Sequence, residues 1–193
     1  MFRHSLKKDI ITLPNLLSLF RLILIPVYGS VYLQSAVRKD FYTAGFLMTL
    51  SCLTDLADGW IARRFNMTSR LGQILDPLAD KLTQLSLTVL LSIRYPQLQP
   101  ILALLLVKEL FQLFLALYYF HRGKVLPGAL MAGKVCTTVL FISLIAMAVF
   151  PELPDPIAGA IALTDGGFLL FSFSQYLLAY VGPNPMLQDL SAE

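Results

Sequence analysis

The sequence predicts an all-α integral membrane protein, a bundle of six transmembrane helices that forms a single domain over residues 1–193. Of the 193 residues, 56% are hydrophobic and only 14% are charged, whereas about a quarter of a soluble domain is charged. The mean hydropathy is +0.69. Apolar stretches of about 20 residues, the length that crosses the hydrocarbon core, recur six times. Because these stretches use most of the chain, a large domain outside the membrane is excluded.

The six spans follow from hydropathy and from the helix-breaking residues between them. Pro14 is suited to the first turn of the first span, whereas Pro26 lies inside that span and is expected to kink it. Polar or proline-rich stretches separate the later spans, as in the run Pro151 to Pro156. The predicted spans are residues 12–34, 41–64, 74–94, 98–120, 129–150 and 157–181.

Basic residues outside the spans or at their ends indicate the orientation of the bundle. Eight of them lie at the N-terminus or in the second-to-third and fourth-to-fifth connections: Arg3, Lys7, Lys8, Arg63, Arg64, Arg70, Arg122 and Lys124. Only Arg38, Lys39 and Arg94 lie at the other ends. The positive-inside rule therefore predicts a multi-pass protein with cytoplasmic N- and C-termini. Residues 1–9 are either a short interfacial helix or a solvated basic tail, and the dispersed net charge of +3 does not indicate a nucleic-acid partner.

Three residues inside the spans are predicted to have structural roles. Cys52 and Cys136 lie in apolar stretches without CxxC spacing, so both are interpreted as buried thiols. Asp165 is an intramembrane acid beside two glycines. Its expected role is helix packing or a dimer interface, because no chemical partner is evident.

Four carboxylates cluster at the predicted cytoplasmic ends of the second and third spans. Asp55 and Asp58 are three residues apart, and Asp76 and Asp80 are four apart, so on helices each pair shares a face. If the two helices pack as a hairpin, all four carboxylates point into one space. Such a cluster at membrane depth is costly unless cations lie within it, and divalent cations such as Mg²⁺ prefer oxygen ligands. The sequence therefore predicts a metal-binding, cytoplasmic-side active site.

The carboxylate cluster is also compatible with a structural role or with ion transport. In the first case, Arg63, Arg64 and Lys81 would neutralise the acids in an ion-pair network. In the second, the acids would line a proton or cation pathway in a transporter, or bind a cation in a scaffold. We favour two cations bridged by shared carboxylates, the arrangement used in phosphoryl transfer, because the acids lie near one face and do not cross the bilayer.

The carboxylates belong to a longer pattern that resembles the signature of the CDP-alcohol phosphatidyltransferase family. The pattern is DxxDGxxAR, eight residues, then GxxxDxxxD. It is met in full by Asp55, Asp58, Gly59, Ala62, Arg63, Gly72, Asp76 and Asp80. The resemblance implies a metal-dependent enzyme of phospholipid biosynthesis in a bacterial-type cytoplasmic membrane, often a homodimer. It would transfer a phosphatidyl group from CDP-diacylglycerol to an alcohol and release CMP.

The resemblance also assigns roles to residues. Two divalent cations, Mg²⁺ or Mn²⁺, would be bound by Asp55, Asp58, Asp76 and Asp80, and Asp80 would also be the catalytic base. The donor-binding residues would be Asn15, Gly59, Ala62, Arg63, Ser69 and Gly72. Asn15 has the alternative of being an ordinary helix-start residue. Arg21, deeper in the same span, either meets a phosphate or snorkels to the interface.

The acceptor is predicted from the Leu13–Arg21 and Thr68–Lys81 segments, which resemble the branch of the family that uses glycerol 3-phosphate. The basic residues predicted to bind the phosphate of glycerol 3-phosphate are Arg70, Lys108, Arg122, Lys124 and Lys134. One departure is that this branch commonly has an Arg-Glu pair where this chain has Lys108-Glu109, and lysine lacks the bidentate fork of arginine. Phosphatidylglycerol, which would give cardiolipin, or serine or inositol phosphate are therefore alternative acceptors.

Overall fold

A computed structural model describes residues 12–35, 38–64, 72–125, 130–181 and 188–189. These residues contain six α-helices, which are α1 (Leu13–Gln34), α2 (Arg38–Arg64), α3 (Gly72–Arg94), α4 (Gln99–Phe120), α5 (Met131–Val149) and α6 (Asp155–Val181). A short 3₁₀ helix, Pro96–Leu98, precedes α4. Six helices therefore lie where the six spans were predicted, each with its ends within three residues of the prediction, and the crossing of a membrane by all six stays a prediction.

Four of the six helices are long and apolar enough to cross a membrane. Within the described residues the candidate spans are Asn15–Gln34, Pro96–Phe120, Met131–Val149 and Asp155–Val181. The helices α2 and α3 contain more charged residues than these four, among them the clustered carboxylates. Large apolar side chains remain exposed along the helices, among them Ile23, Phe46 and Leu163, as expected of a surface that faces lipid. The chain is an integral membrane protein.

The start of α1 shows why a helix begins there. Thr12 is extended at the N-cap, with φ −100° and ψ 150°, and its hydroxyl accepts a hydrogen bond from the Asn15 backbone N–H at 3.4 Å. Pro14 lies in the first turn, where its missing N–H is not needed. The helix continues through Pro26, and the kink expected there remains a prediction.

The chain divides into two compact units, of which the first contains α1, α2, α3 and residues 144–153. In this unit α1 packs against both α2 and α3, around buried side chains that include Tyr28, Met48 and Leu87. Gly45 of α2 lies so close to the end of α5 that a Cβ atom added to it would be 2.5 Å from the Ala148 carbonyl oxygen. The backbones of these two segments are therefore in direct contact.

At one end of the first unit, aromatic and cation–π contacts join α1, α2 and the end of α3. The rings of Tyr32 and Phe41 meet edge to face with centroids 5.6 Å apart. The Arg94 guanidinium lies 4.4 Å from the centroid of the Phe41 ring, and its Nε donates a hydrogen bond to the Pro151 carbonyl at 2.6 Å. Because Tyr32 lies near the end of α1 and Phe41 near the start of α2, these two helices form an antiparallel hairpin.

The second unit contains residues 95–143 and the part of the chain from Pro154 onward. In it α4 packs along α6, with the Phe111 and Phe173 rings edge to face at 5.2 Å. Two two-residue strands, β1 (Lys124–Val125) and β2 (Gln188–Asp189), pair antiparallel with Lys124 opposite Asp189. This pairing joins the segment after α6 to the connection that follows α4. Cys136 in this unit and Cys52 in the first are both buried, as predicted.

Candidate functional site

A strip of three buried polar side chains lies on the first half of α1. Asn15, Ser18 and Arg21 are spaced three residues apart and are 4%, 0% and 1% exposed, respectively. Residues at this spacing share one helix face. A buried polar face on an apolar membrane helix needs polar partners on a neighbouring helix, because no water solvates it there.

The partners of this strip are two carboxylates of α3. Ser18 Oγ donates a hydrogen bond to Asp76 Oδ1 at 2.6 Å, and Arg21 Nη1 forms an ion pair with Asp80 Oδ1. Further along the same two helices, Tyr28 Oη and Ser86 Oγ share a hydrogen bond. The three contacts advance together along both chains, so α1 and α3 run parallel and begin at the same end of the unit.

The two members of the Arg21–Asp80 pair differ strongly in exposure. The Arg21 side chain is 1% exposed, whereas the Asp80 side chain is 40% exposed. The guanidinium therefore lies behind the carboxylate and the carboxylate borders open space. This arrangement leaves Asp80 accessible to a ligand while its charge is balanced from within the bundle. From the sequence, Arg21 was expected either to contact a phosphate or to snorkel to the interface. The ion pair with Asp80 was not predicted.

The other two signature carboxylates are placed only through the backbone of α2. Asp55 and Asp58 lie in this helix, and their side chains are outside the described part of the structure. Ser18 is fourteen residues from Tyr32, and Asp55 is fourteen residues from Phe41. At 1.5 Å per residue both lie about 21 Å from the Tyr32–Phe41 contact. In an antiparallel hairpin, the Asp55 backbone is thus at the same level as Ser18.

Several predicted donor residues also fall partly or wholly outside the described side chains. Gly59, Ala62 and Arg63 belong to the last part of α2, where only the helical backbone is described. Ser69, with Arg70 from the acceptor set, lies in the connection outside the described residues. Gly72 begins α3 and is buried.

The described carboxylates have the chemistry that a hard divalent cation requires. Asp76 and Asp80 provide oxygen donors one turn apart on the half-exposed face of α3, and Mg²⁺ and Mn²⁺ prefer such ligands. Among the side chains that the structure describes, no group of three metal-ligating residues occurs. The side chains of Asp55 and Asp58, which would complete the predicted set, are not among them. The described carboxylates of α3 therefore suit a divalent cation, and the two further ligands predicted from the sequence belong to α2.

An apolar groove continues from this end of α1 and α3. Its volume is about 460 Å³, within the range of pockets that bind small molecules. Along the chain, its first lining residue on α1, Leu22, directly follows Arg21, and its first on α3, Leu82, lies two residues after Asp80. The lining residues are Leu22, Ile25, Gly29, Leu82, Leu85, Ser86, Val89 and Leu90.

The described acceptor candidates belong to the second unit and differ in exposure. Lys108 is buried, at 3%, and its Nζ forms an ion pair with Glu109 Oε1 at 2.8 Å. Arg122, Lys124 and Lys134 are exposed, and the Arg122 guanidinium lies 4.4 Å from the centroid of the Tyr118 ring. These three cationic groups are therefore accessible at the surface of this unit, whereas Lys108 is held inside it.

Tyr176 of α6 connects two of these candidates and was not predicted from the sequence. The Lys108 ammonium lies 6.0 Å from the centroid of its ring. The Tyr176 hydroxyl accepts a hydrogen bond from the Leu130 backbone N–H at 3.2 Å, and a Cβ atom added to Gly133 would be 2.6 Å from that hydroxyl. Gly133 thus lets Tyr176 reach the start of α5, next to Lys134.

Asp165 lies inside the second unit. It is 1% exposed, and Ser143 Oγ donates a hydrogen bond to its Oδ1 at 2.8 Å. Because Ser143 is on α5 and Asp165 on α6, the bond joins two helices of the unit. This contact agrees with the helix-packing role expected from the sequence.

Comparison with known proteins gives a family and named relatives. A model of the CDP-alcohol phosphatidyltransferase family matches residues 11–172. An Aquifex aeolicus protein named CDP-diacylglycerol–glycerol-3-phosphate 3-phosphatidyltransferase is 33% identical over 137 residues, 70% of this chain and 75% of that protein. The protein of the same name from Escherichia coli (strain K12) is 32% identical over 171 residues, 86% of this chain and 93% of that protein.

A further relative has a different name. A Schizosaccharomyces pombe protein named "Cardiolipin synthase (CMP-forming) / mitochondrial hydrolase fusion protein" is 35% identical over 129 residues, 65% of this chain. The match covers 20% of that fusion protein. The similarity therefore concerns one portion of a much longer chain.

Proposed function

The chain belongs to the CDP-alcohol phosphatidyltransferase family, and from this premise we propose that it transfers the phosphatidyl group of CDP-diacylglycerol to glycerol 3-phosphate. The products are phosphatidylglycerophosphate and CMP. As a member of this family the chain is a membrane-bound transferase of phospholipid biosynthesis. The observation that carries the proposal is the position of Asp76 and Asp80, two signature carboxylates fixed to the polar strip of α1.

The proposed reaction is a single displacement at phosphorus. The acceptor hydroxyl oxygen forms a bond to the phosphorus that carries diacylglycerol, the bond from that phosphorus to the CMP oxygen breaks, and Asp80 takes the hydroxyl proton. Asp80 is a half-exposed carboxylate, so a hydroxyl has access to it. Two divalent cations, Mg²⁺ or Mn²⁺, held by Asp55, Asp58, Asp76 and Asp80, would neutralise diphosphate charge and acidify the attacking hydroxyl.

The donor is proposed to bind along α1 and α3. Its nucleotide and diphosphate would lie near Asn15, Gly59, Ala62, Arg63, Ser69 and Gly72. We propose that one acyl chain enters the apolar groove between α1 and α3, because the groove continues from Arg21 and Asp80 along the same helices. A lipid with its charged head at the carboxylates would extend in that direction.

Glycerol 3-phosphate is favoured as acceptor by two observations. The relatives from A. aeolicus and E. coli are named for that substrate. The second unit exposes Arg122, Lys124 and Lys134, and a phosphate dianion is bound by such cations. Lys108 is proposed to act from its buried position beside Tyr176, and Arg70 from the connection before α3.

Cardiolipin formation from phosphatidylglycerol is the second candidate. It is supported by the 35% identity to the protein named as a CMP-forming cardiolipin synthase. Serine and inositol phosphate stay as further alternatives of the same chemistry. Membership of an enzyme family favours all of these over a cation transporter or scaffold.

We further propose that the N- and C-termini are cytoplasmic. The charge distribution supports this orientation, and the pairing of β2 with β1 supports a C-terminal segment on the same side as the α4–α5 connection. The homodimer implied by the family resemblance also remains a proposal, to be checked by the mass of the purified protein in detergent.

The deciding experiment is release of CMP by the purified full chain with CDP-diacylglycerol and either Mg²⁺ or Mn²⁺. Glycerol 3-phosphate, phosphatidylglycerol, serine and inositol phosphate are tested one at a time, and the lipid product is identified by mass spectrometry. Release with glycerol 3-phosphate alone is expected. Release with another acceptor alone would replace the proposed substrate, and no release with any of the four would overturn the proposed reaction.

A further inference from the structure

We propose that Ser18 and Arg21 of α1 are positioning residues that orient Asp76 and Asp80 of α3 for divalent-metal binding. The inference rests on the proposed metal-dependent function and extends it to a helix outside the family signature, which lies on α2, the following connection and α3. Both contacts are side chain to side chain and both use Oδ1 of the carboxylate. The first helix would thereby determine how the carboxylates of the third present themselves to a cation.

Burial shows which member of the Arg21–Asp80 pair needs the other. Arg21 is 1% exposed, and a buried guanidinium is strongly destabilising without a paired charge. Asp80 is 40% exposed, so water can solvate it without help. The folded first unit therefore constrains Arg21, and Arg21 in turn restricts the Asp80 side chain to one orientation.

Ser18 has the same relation to Asp76. Its side chain is fully buried, at 0% exposure, and its hydroxyl donates to Asp76 Oδ1 at 2.6 Å. Hydrogen bonds from such partners fix the orientation of metal-binding carboxylates, and their loss typically lowers metal affinity about 10- to 100-fold. Two such contacts, one for each carboxylate, come from successive turns of one helix.

The same pair of helices provides a matched control. Tyr28 and Ser86 share a hydrogen bond between α1 and α3, and Tyr28 is seven residues beyond Arg21, about 10 Å along the helix. Removal of this hydrogen bond weakens the packing of α1 on α3 and leaves the contacts of both carboxylates unchanged. Tyr28→Phe therefore separates a loss of helix packing from a loss of carboxylate orientation.

The test is Mn²⁺ binding by the full chain in detergent without any lipid substrate, measured by electron paramagnetic resonance titration. Ser18→Ala and Arg21→Lys are expected to raise the Mn²⁺ dissociation constant about 10- to 100-fold. Lysine keeps the charge of Arg21 and loses its planar fork. Tyr28→Phe is expected to bind Mn²⁺ as the unmodified chain does, even if its thermal unfolding temperature falls.

The outcomes separate this proposal from the proposed function. Equal Mn²⁺ affinity in the unmodified chain, Ser18→Ala and Arg21→Lys would overturn the positioning role. An equal loss of affinity in Tyr28→Phe would also overturn it, because packing alone would then explain the effect. If Arg21→Lys does not fold, Ser18→Ala decides. An unmodified chain that binds Mn²⁺ but releases no CMP would overturn the proposed reaction, and the Mn²⁺ titrations would still decide the positioning role.

Discussion

Arg21 of α1 and Asp80 of α3 form an ion pair in which the cation is buried and the carboxylate is half exposed. Removing a buried charge from its partner is costly, so the pair holds the first and third helices together as well as directing the carboxylate. Asp80 is the residue proposed to take the acceptor proton. The proposed catalytic base is therefore oriented by α1, a helix outside the family signature.

Substituting Asp80 by Asn is expected to lower turnover strongly while CDP-diacylglycerol still binds. Asparagine keeps the size of the side chain and a carbonyl that can accept from Arg21, but it does not take a proton. Loss of a catalytic base typically lowers the rate about 10²- to 10⁴-fold. CMP release and equilibrium binding of the donor measure the two effects separately.

Asp155→Asn is the control for Asp80→Asn. Asp155 lies at the start of α6, is exposed, and accepts a hydrogen bond from Gln97 Nε2 at 3.2 Å. Its substitution should leave CMP release unchanged. Full activity in Asp80→Asn would contradict the assignment of Asp80 as the base.

Removal of divalent metal is expected to stop CMP release completely and reversibly. The proposed ligands are carboxylates, which bind Mg²⁺ through oxygen and release it to a stronger chelator. Dialysis against EDTA followed by addition of Mg²⁺ or Mn²⁺ tests this, with CMP release measured at each stage. Undiminished release after dialysis, with the metal content verified as negligible, would exclude a metal-dependent mechanism.

The helices were predictable from the sequence, whereas the contacts between them were not. Hydropathy and proline-rich breaks define where each helix begins and ends, because both signals are local in the chain. The Ser18–Asp76 and Arg21–Asp80 contacts span 58 and 59 residues and depend on the parallel packing of α1 on α3. No local pattern specifies that packing.

The candidate site was predictable to a similar degree. The spacing of Asp76 and Asp80 predicted that both lie on one face of a helix, and the structure confirms that both belong to α3. The sequence did not predict Ser18 or Tyr176 as contributors, because a serine or tyrosine inside an apolar span has many structural uses. The strand pairing of Lys124 with Asp189 was also not predicted, since two-residue strands have no periodic signal.

Filling the groove between α1 and α3 is expected to weaken donor binding. Gly29 lines the groove, and a Cβ atom added to it would meet Leu90 Cδ1 at an ordinary contact distance of 3.8 Å. Gly29→Ala should therefore be tolerated, whereas Gly29→Leu should occupy space proposed for an acyl chain. We expect Gly29→Leu to raise the KM for CDP-diacylglycerol about tenfold without changing the KM for glycerol 3-phosphate. Unchanged donor KM in a folded Gly29→Leu protein would exclude the groove as an acyl site.

Removing the charge of Lys134 is expected to weaken acceptor binding selectively. Lys134 is an exposed cation in the first turn of α5, and a charge-assisted hydrogen bond to a phosphate is worth about 1.5 kcal/mol or more. Lys134→Met should therefore raise the KM for glycerol 3-phosphate about tenfold and leave the donor KM unchanged. Lys39→Met, which removes an exposed lysine at the start of α2, is the control. An equal effect of both substitutions would indicate a general loss of positive charge and not an acceptor contact.

Adding a methyl group at Gly45 is expected to destabilise the first unit. The new Cβ atom would lie 2.5 Å from the Ala148 carbonyl oxygen and 3.1 Å from its carbonyl carbon, and both are backbone atoms that cannot rotate away. The segments must separate, and overpacking of this kind costs about 1 to 3 kcal/mol. Gly159→Ala is the matched control, because within the described structure no heavy atom from outside its own stretch of helix lies within 4 Å of the corresponding Cβ position. Alanine is favoured over glycine inside a helix by about 1 kcal/mol, so Gly159→Ala should unfold at the same or a higher temperature than the unmodified chain, whereas Gly45→Ala should unfold at a lower one. Thermal unfolding in detergent measures both, and equal unfolding temperatures for the two variants would show that α2 and the end of α5 are not in backbone contact.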